Sequence, residues 1–138
     1  MKTIQEFGYQ VRVPGGVAEA RERVEAALKE QGFGVLTEID VQATLRSKLG
    51  VDTAPYLILG VCNPTLAHQA LAVTPHVGLM LPCTVTLRQE GDHTVVEVLR
   101  PEAALAVVGL PELRPMADEA ERRLRAVVAA IEATTADG

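Results

Sequence analysis

Two cysteines, each beside a proline where the sequence pattern breaks, are the residues best equipped for chemistry: Cys62-Asn63-Pro64 and Leu81-Pro82-Cys83. An ionised thiol is a nucleophile, two thiols can cycle between dithiol and disulfide, and a thiol pair can hold a soft metal ion. Cys62 ends an apolar run just before a helix. The free N–H groups of that helix would favour a thiolate by about 0.3–1 kcal/mol and lower its pKa from about 8.5. Packing is the competing role, because free cysteine behaves as a small core hydrophobe. Cys83 shares one face of its strand with Leu81, Val85 and Leu87, which favours packing there. Neither CxxC nor a common zinc spacing is present. No residue is therefore assigned as a metal ligand, and no cofactor is implied.

The candidate partners of the thiols are few. His68 falls on the second turn of the helix that begins at Pro64, opposite its apolar face; that placement favours a solvated side chain, with a ligand or base near Cys62 as the competing role. His76 follows Pro75 in a loop, and His93 sits beside a hairpin turn. Asn63 is a good helix N-cap and Pro64 a good first helical residue. Asp40 is placed to cap another short helix, with Thr37 and Glu38 forming a small polar cluster beside it. Pro14-Gly15-Gly16 is not followed by Lys-Ser/Thr and so is a turn, not a phosphate-binding loop. Glu119, Glu121, Arg122, Arg123 and Arg125 read as the solvated face of the last helix.

The elements that must position these residues follow from periodicity. Phe7, Tyr9, Val11 and Val13 alternate as in a half-buried strand. From Val17, the residues Ala20, Val24, Ala27 and Leu28 keep helical spacing until Gly32. Phe33, Val35, Thr37 and Ile39 alternate again, and Asp40 opens a short helix bearing Val41, Leu45 and Leu49, closed by Gly50. Tyr56 to Cys62 is apolar on both faces, the pattern of a central, fully covered strand. Leu66, Ala67, Ala70 and Leu71 form the inner face of the next helix, which stops before Pro75. Leu81 to Arg88 and Val95 to Leu99 are two strands joined by a Gln89-Glu90-Gly91-Asp92 turn. A short helical segment follows Pro101, and a long helix starts at about Pro111. The path is β-α-β-(α)-β-α-β-β-α, with a frayed tail expected from Thr134.

With 138 residues the chain is read as one domain, 1–138, large enough for a core without disulfides. Aromatics make up only 3% and Trp is absent, so that core must be aliphatic. The net charge of −5 and the shortage of stacking platforms argue against nucleic acid as a partner. No apolar run reaches the roughly 18 residues of a membrane span, and Met1–Glu6 lacks the apolar stretch of a leader. The expected location is the cytoplasm, where thiols stay reduced.

Thr37-Glu38-Ile39-Asp40, Leu49-Gly50, the stretch from Tyr56 to Pro64 and the stretch from Gly78 to Cys83 together resemble the prokaryotic family of domains of unknown function numbered 302. The resemblance runs over nearly the whole chain. It implies an α+β fold with a twisted, mainly antiparallel sheet, helices mostly on one face, and a β-α-β(4)-α core like one half of a TATA-binding protein. It implies no activity, and a DNA-binding role does not travel with a shared fold. It draws attention to Asp40, Cys62, Asn63, Pro64, Pro82 and Cys83. The reading is of a cytoplasmic domain, leaning towards non-enzymatic, that binds a small molecule near Cys62 and Cys83, with Asn63, Asp40 and His68 as candidate company and Pro64 and Pro82 as structural markers. The alternatives are a thiol-dependent redox or soft-metal-handling protein and an interaction module whose cysteines only pack. A homodimer is expected, because an isolated sheet leaves an edge or face to cover.

Overall fold

The structure, a computed structural model, describes residues 2–136. Its frame is a six-stranded sheet: β1 (Lys2–Ile4), β2 (Gly8–Pro14), β3 (Gly34–Asp40), β4 (Tyr56–Cys62), β5 (Cys83–Glu90) and β6 (His93–Leu99). The spatial order is β1-β2-β6-β5-β4-β3, and every neighbouring pair is antiparallel. Five helices complete it: α1 (Val17–Glu30), α2 (Val41–Leu49), α3 (Pro64–Val73), α4 (Pro101–Ala106) and α5 (Arg114–Ala136). With α2, α3 and α4 as insertions, β2-α1-β3-β4-β5-β6-α5 is the expected β-α-β(4)-α core. β1 is an addition, three residues too short to carry a pattern.

Alternation decides which face is dry. Tyr9, Val11 and Val13 of β2, Val96 and Val98 of β6, Val85 and Leu87 of β5, and Leu59 and Val61 of β4 are all buried against α1 and α5. The helices answer with Val17, Ala20, Val24 and Leu28 from α1 and Leu124, Val127, Val128 and Ile131 from α5. These are aliphatic stripes at helical spacing, as the composition requires. A smaller cluster of Ala70, Val77 and Leu113 closes one end, under the 3₁₀ turn Pro75–Met80.

The core helices α1 and α5 pack on one sheet face only, and the Leu79–Pro82 segment covers part of the other, which corrects the expectation of β4 as a central, fully covered strand. β4 lies next to the edge strand β3, and its Tyr56 and Ile58 are only half-buried. The apolar character of both its faces is real, but one face stays open. β3 does not alternate cleanly because a bulge falls between Val35 and Thr37, leaving Leu36 63% exposed. Phe7 and Phe33 lie just outside their strands.

The turn chemistry agrees with the sequence. Gly32, Gly50 and Gly91 all have positive φ, at 80°, 65° and 63°. α5 runs on to Ala136, past the point where fraying was expected, and residues 137–138 lie outside the described residues.

Candidate functional site

Strand register brings the two cysteines to one end of the sheet. Val61 pairs with Cys83, so Cys62 lies one residue beyond the last β4–β5 rung, where β5 begins, and pairs with Gly34 of β3 on its other side. Asn63 then caps α3: its Oδ1 accepts the Leu66 N–H at 3.1 Å, with Pro64 in the first turn. Asn63 Nδ2 also donates to the Gln31 carbonyl at 3.5 Å, and Arg123 Nη1 donates to the same oxygen at 3.1 Å. The end of α1, the start of α3 and the middle of α5 are thereby tied together beside Cys62.

Both thiols are free and half-buried, and both line one apolar slot of about 40 Å³. Leu66, Ala67 and Ala70 of α3, Pro101 and Leu105 of α4, and Met116 and Ala120 of α5 close it, with Met80 and Leu81 on the remaining side. Burial raises the pKa of Cys62. Burial also pushes Cys83 up to about 11, and the neighbouring Cys62 adds to the rise. The helix-assisted lowering expected for Cys62 is therefore reversed. The Leu66 N–H at the start of α3 is bonded to Asn63 Oδ1.

The other candidates divide. Asn63 belongs to the slot. Pro64 is exposed in the first turn of α3. Pro82 is exposed and sits against Gly60 on the open face, where a Cβ on Gly60 would come within 2.7 Å of its Cγ. Asp40 is not in the site. It pairs in register with Leu57, five residues from Cys62 along β4, or about 17 Å. Its Oδ1 accepts the Ala43 N–H at 2.9 Å as the cap of α2. His68 is exposed on α3 and does not line the slot. The expected gathering of polar and thiol groups at one end thus reduces to Cys62, Cys83 and Asn63.

Two slot residues escaped the sequence reading. Met80 and Met116 carry no periodic signal, and only the fold brings them to the thiols. A third omission is structural. Glu121, expected on the solvated face of α5, is 3% exposed. It accepts from the Tyr9 hydroxyl, from Arg100 Nε at 2.9 Å and from the Glu102 N–H at 3.3 Å. Helical spacing could have found it, since 117, 121, 124 and 128 share a face.

Two larger hollows flank this end. One of about 390 Å³ lies on the open sheet face, with Ile39, Ile58, Thr84 and Leu99 among its lining and Leu79–Pro82 at its rim. Met80, Leu81 and Ala104 line both it and the slot, so they form the partition between them. The other, about 410 Å³, lies between α4 and the start of α5 and carries Glu102, Asp118 and Arg114 but no thiol. Among the described residues, no three His, Cys, Asp or Glu side chains assemble as a metal-ligand set. No helix among them is long and apolar enough to cross a membrane.

The chain matches none of the curated proteins. Among solved structures it is similar to the uncharacterized conserved protein DUF302 from Bacillus stearothermophilus. The two are 36% identical with a TM-score of 0.83, over 91% of this chain and 98% of that one. The family model for Domain of unknown function DUF302 matches residues 9–131. That span includes the whole β-α-β(4)-α core, except the first residue of β2 and the last turn of α5, together with both cysteine motifs, and the chain belongs to the DUF302 family.

Proposed function

We propose that this chain is a non-catalytic binding domain whose site is the sulfur-lined slot between β4, β5 and α3–α5. The observation that carries this reading is the convergence of both cysteines on one apolar slot of about 40 Å³. A space of that size holds a ligand of a few heavy atoms, far short of the 300–1,000 Å³ of ordinary organic-ligand pockets. No acid or base side chain lines it, so nothing there is placed to take a proton from a thiol or a substrate. Free thiols suit the reducing cytoplasm, where we place the chain.

Thiol accessibility tests this. Methyl methanethiosulfonate, a reagent of a few heavy atoms, should label Cys62 in the folded chain. A bulky aromatic disulfide reagent should react only after denaturation. A folded chain silent to both reagents would overturn the reading.

A second copy of the chain is the proposed cover for the open sheet face. Five strands of seven or eight residues span roughly 24 by 23 Å, or about 550 Å² per copy and about 1,100 Å² for a face-to-face pair. That just clears the size of a specific interface. The face presents Ile39, Ile58 and Leu99, and its charges are Lys2, Arg12 and Arg88 against Glu90 and Glu97, so the acidity of the chain as a whole does not oppose the pairing. Light scattering should give a dimer mass, and Ile58→Lys should give a monomer of unchanged fold. A wild-type monomer at every concentration would remove the dimer.

A further inference from the structure

We propose that the slot is a site for a soft monovalent metal ion, Cu(I), ligated by Cys62 and Cys83 with Met80 and Met116 supplying thioether sulfur. This assignment depends on the slot being a ligand site, as proposed above, and names its occupant. Both cysteines of the chain and two of its three methionines line this one slot. They arrive from separate stretches: the end of β4, the turn and first residue leading into β5, and the first turn of α5. Three elements therefore converge to bring four sulfur-bearing residues to the lining of a space of about 40 Å³.

The donor set decides which metal fits. Thiolate and thioether are soft donors and select Cu(I), whereas magnesium, calcium and manganese require carboxylate, carbonyl or water oxygen. Zinc takes thiolates too, but its sites are completed by further thiolates, imidazoles or carboxylates, and none lines this slot. Asn63 is the one other polar side chain there, and its Oδ1 is committed to the Leu66 N–H. Thioethers add donors without adding charge, which suits apolar walls. Each thiol that ligates forms a sulfur–copper bond and releases its proton to solvent. Copper stays Cu(I), and no electron is transferred. Entry is through the Met80–Leu81 partition, where a half-buried ligand side chain borders the open hollow.

The test is a competition titration of the full chain with Cu(I), held by a chromophoric chelator under anaerobic reductant, alongside native mass spectrometry. One copper per chain is expected, with no retention of Zn²⁺. Met80→Leu and Met116→Leu nearly conserve volume, so each should weaken Cu(I) by about tenfold while leaving the urea midpoint near wild type. Cys62→Ser should weaken it by about 100-fold or more. Copper bound no better than by a Cys62→Ser/Cys83→Ser double variant would overturn the assignment, as would Zn²⁺ held more tightly than Cu(I). Methionine variants that bind as tightly as wild type would overturn the four-sulfur set. Methanethiosulfonate labelling separates the two levels: a chain that labels at Cys62 but takes no Cu(I) loses the metal and keeps the slot, and one that does neither loses both.

Discussion

At Glu121 a single carboxylate gathers three donors from three places in the fold. Tyr9 comes from β2, Arg100 from the end of β6 and the Glu102 N–H from the first turn of α4. Arg100 and Arg125 also lie over the Tyr9 ring, at 5.4 and 5.9 Å from its centroid. Removing the carboxylate leaves a hydroxyl and an N–H unpaired in a buried place, and leaves Arg100 without its most buried partner. Glu121→Ala should therefore destabilise the chain by about 3 kcal/mol, read as a lower urea midpoint at unchanged slope. Tyr9→Phe, which deletes one hydrogen bond to a charged acceptor, should cost about 1–2 kcal/mol. The charge run from Glu119 to Arg125 hid this residue in the sequence. Five charged side chains on a helix read as solvated, and nothing local shows that a tyrosine from residue 9 arrives beneath one of them. The cysteine–methionine set was half legible for a related reason: cysteine is scarce enough to notice, while a methionine looks like any other filler of the core.

Among the elements, those with a local chemical cause were read correctly. Asn63 and Asp40 cap α3 and α2 because a short side-chain oxygen can take an orphan N–H. Gly32, Gly50 and Gly91 mark helix and hairpin ends because they adopt positive φ without strain. What periodicity could not show is which strand lies in the middle. β4 is apolar on both faces, yet it is next to last, because its second face meets the Leu79–Pro82 segment and the open hollow. Gly60 is where that segment presses on the strand. An added methyl there would meet Pro82 Cγ at 2.7 Å and Thr37 Oγ1 still closer. Gly60→Ala should cost about 1–3 kcal/mol and loosen the turn that carries Met80. A thermal melt against Gly78→Ala, where a Cβ meets nothing within 4 Å, checks that the loss is steric.

The whole molecule shows its dependence on the protonated slot through pH. Folding holds Cys83 at about 11, whereas an unfolded thiol ionises near 8.5. The raised folded value means the stabilisation is complete below the unfolded pKa and is lost as pH rises towards 11, because the unfolded chain gives up its proton first. In chelator-treated protein the urea midpoint should fall between about pH 8.5 and 11, by an amount on the order of 3 kcal/mol, and Cys83→Ala should flatten that slope. Fold class was legible from the order of the periods. Strand order was not, since it depends on which distant segments meet.

One such meeting governs how the protein comes into being. β2 ends at residue 14, α1 carries the chain across the sheet to the far edge, and β2's inner neighbour is β6, which starts at residue 93. Strands β3 to β6 can zip as successive neighbours while they are synthesised. The amino-terminal strand must wait for nearly eighty residues of later chain before its seat exists. A nascent chain stalled before residue 93 should show β2 and α1 open to protease, and release past residue 136 should protect them. Synthesis order thus makes the first core strand the last to be enclosed.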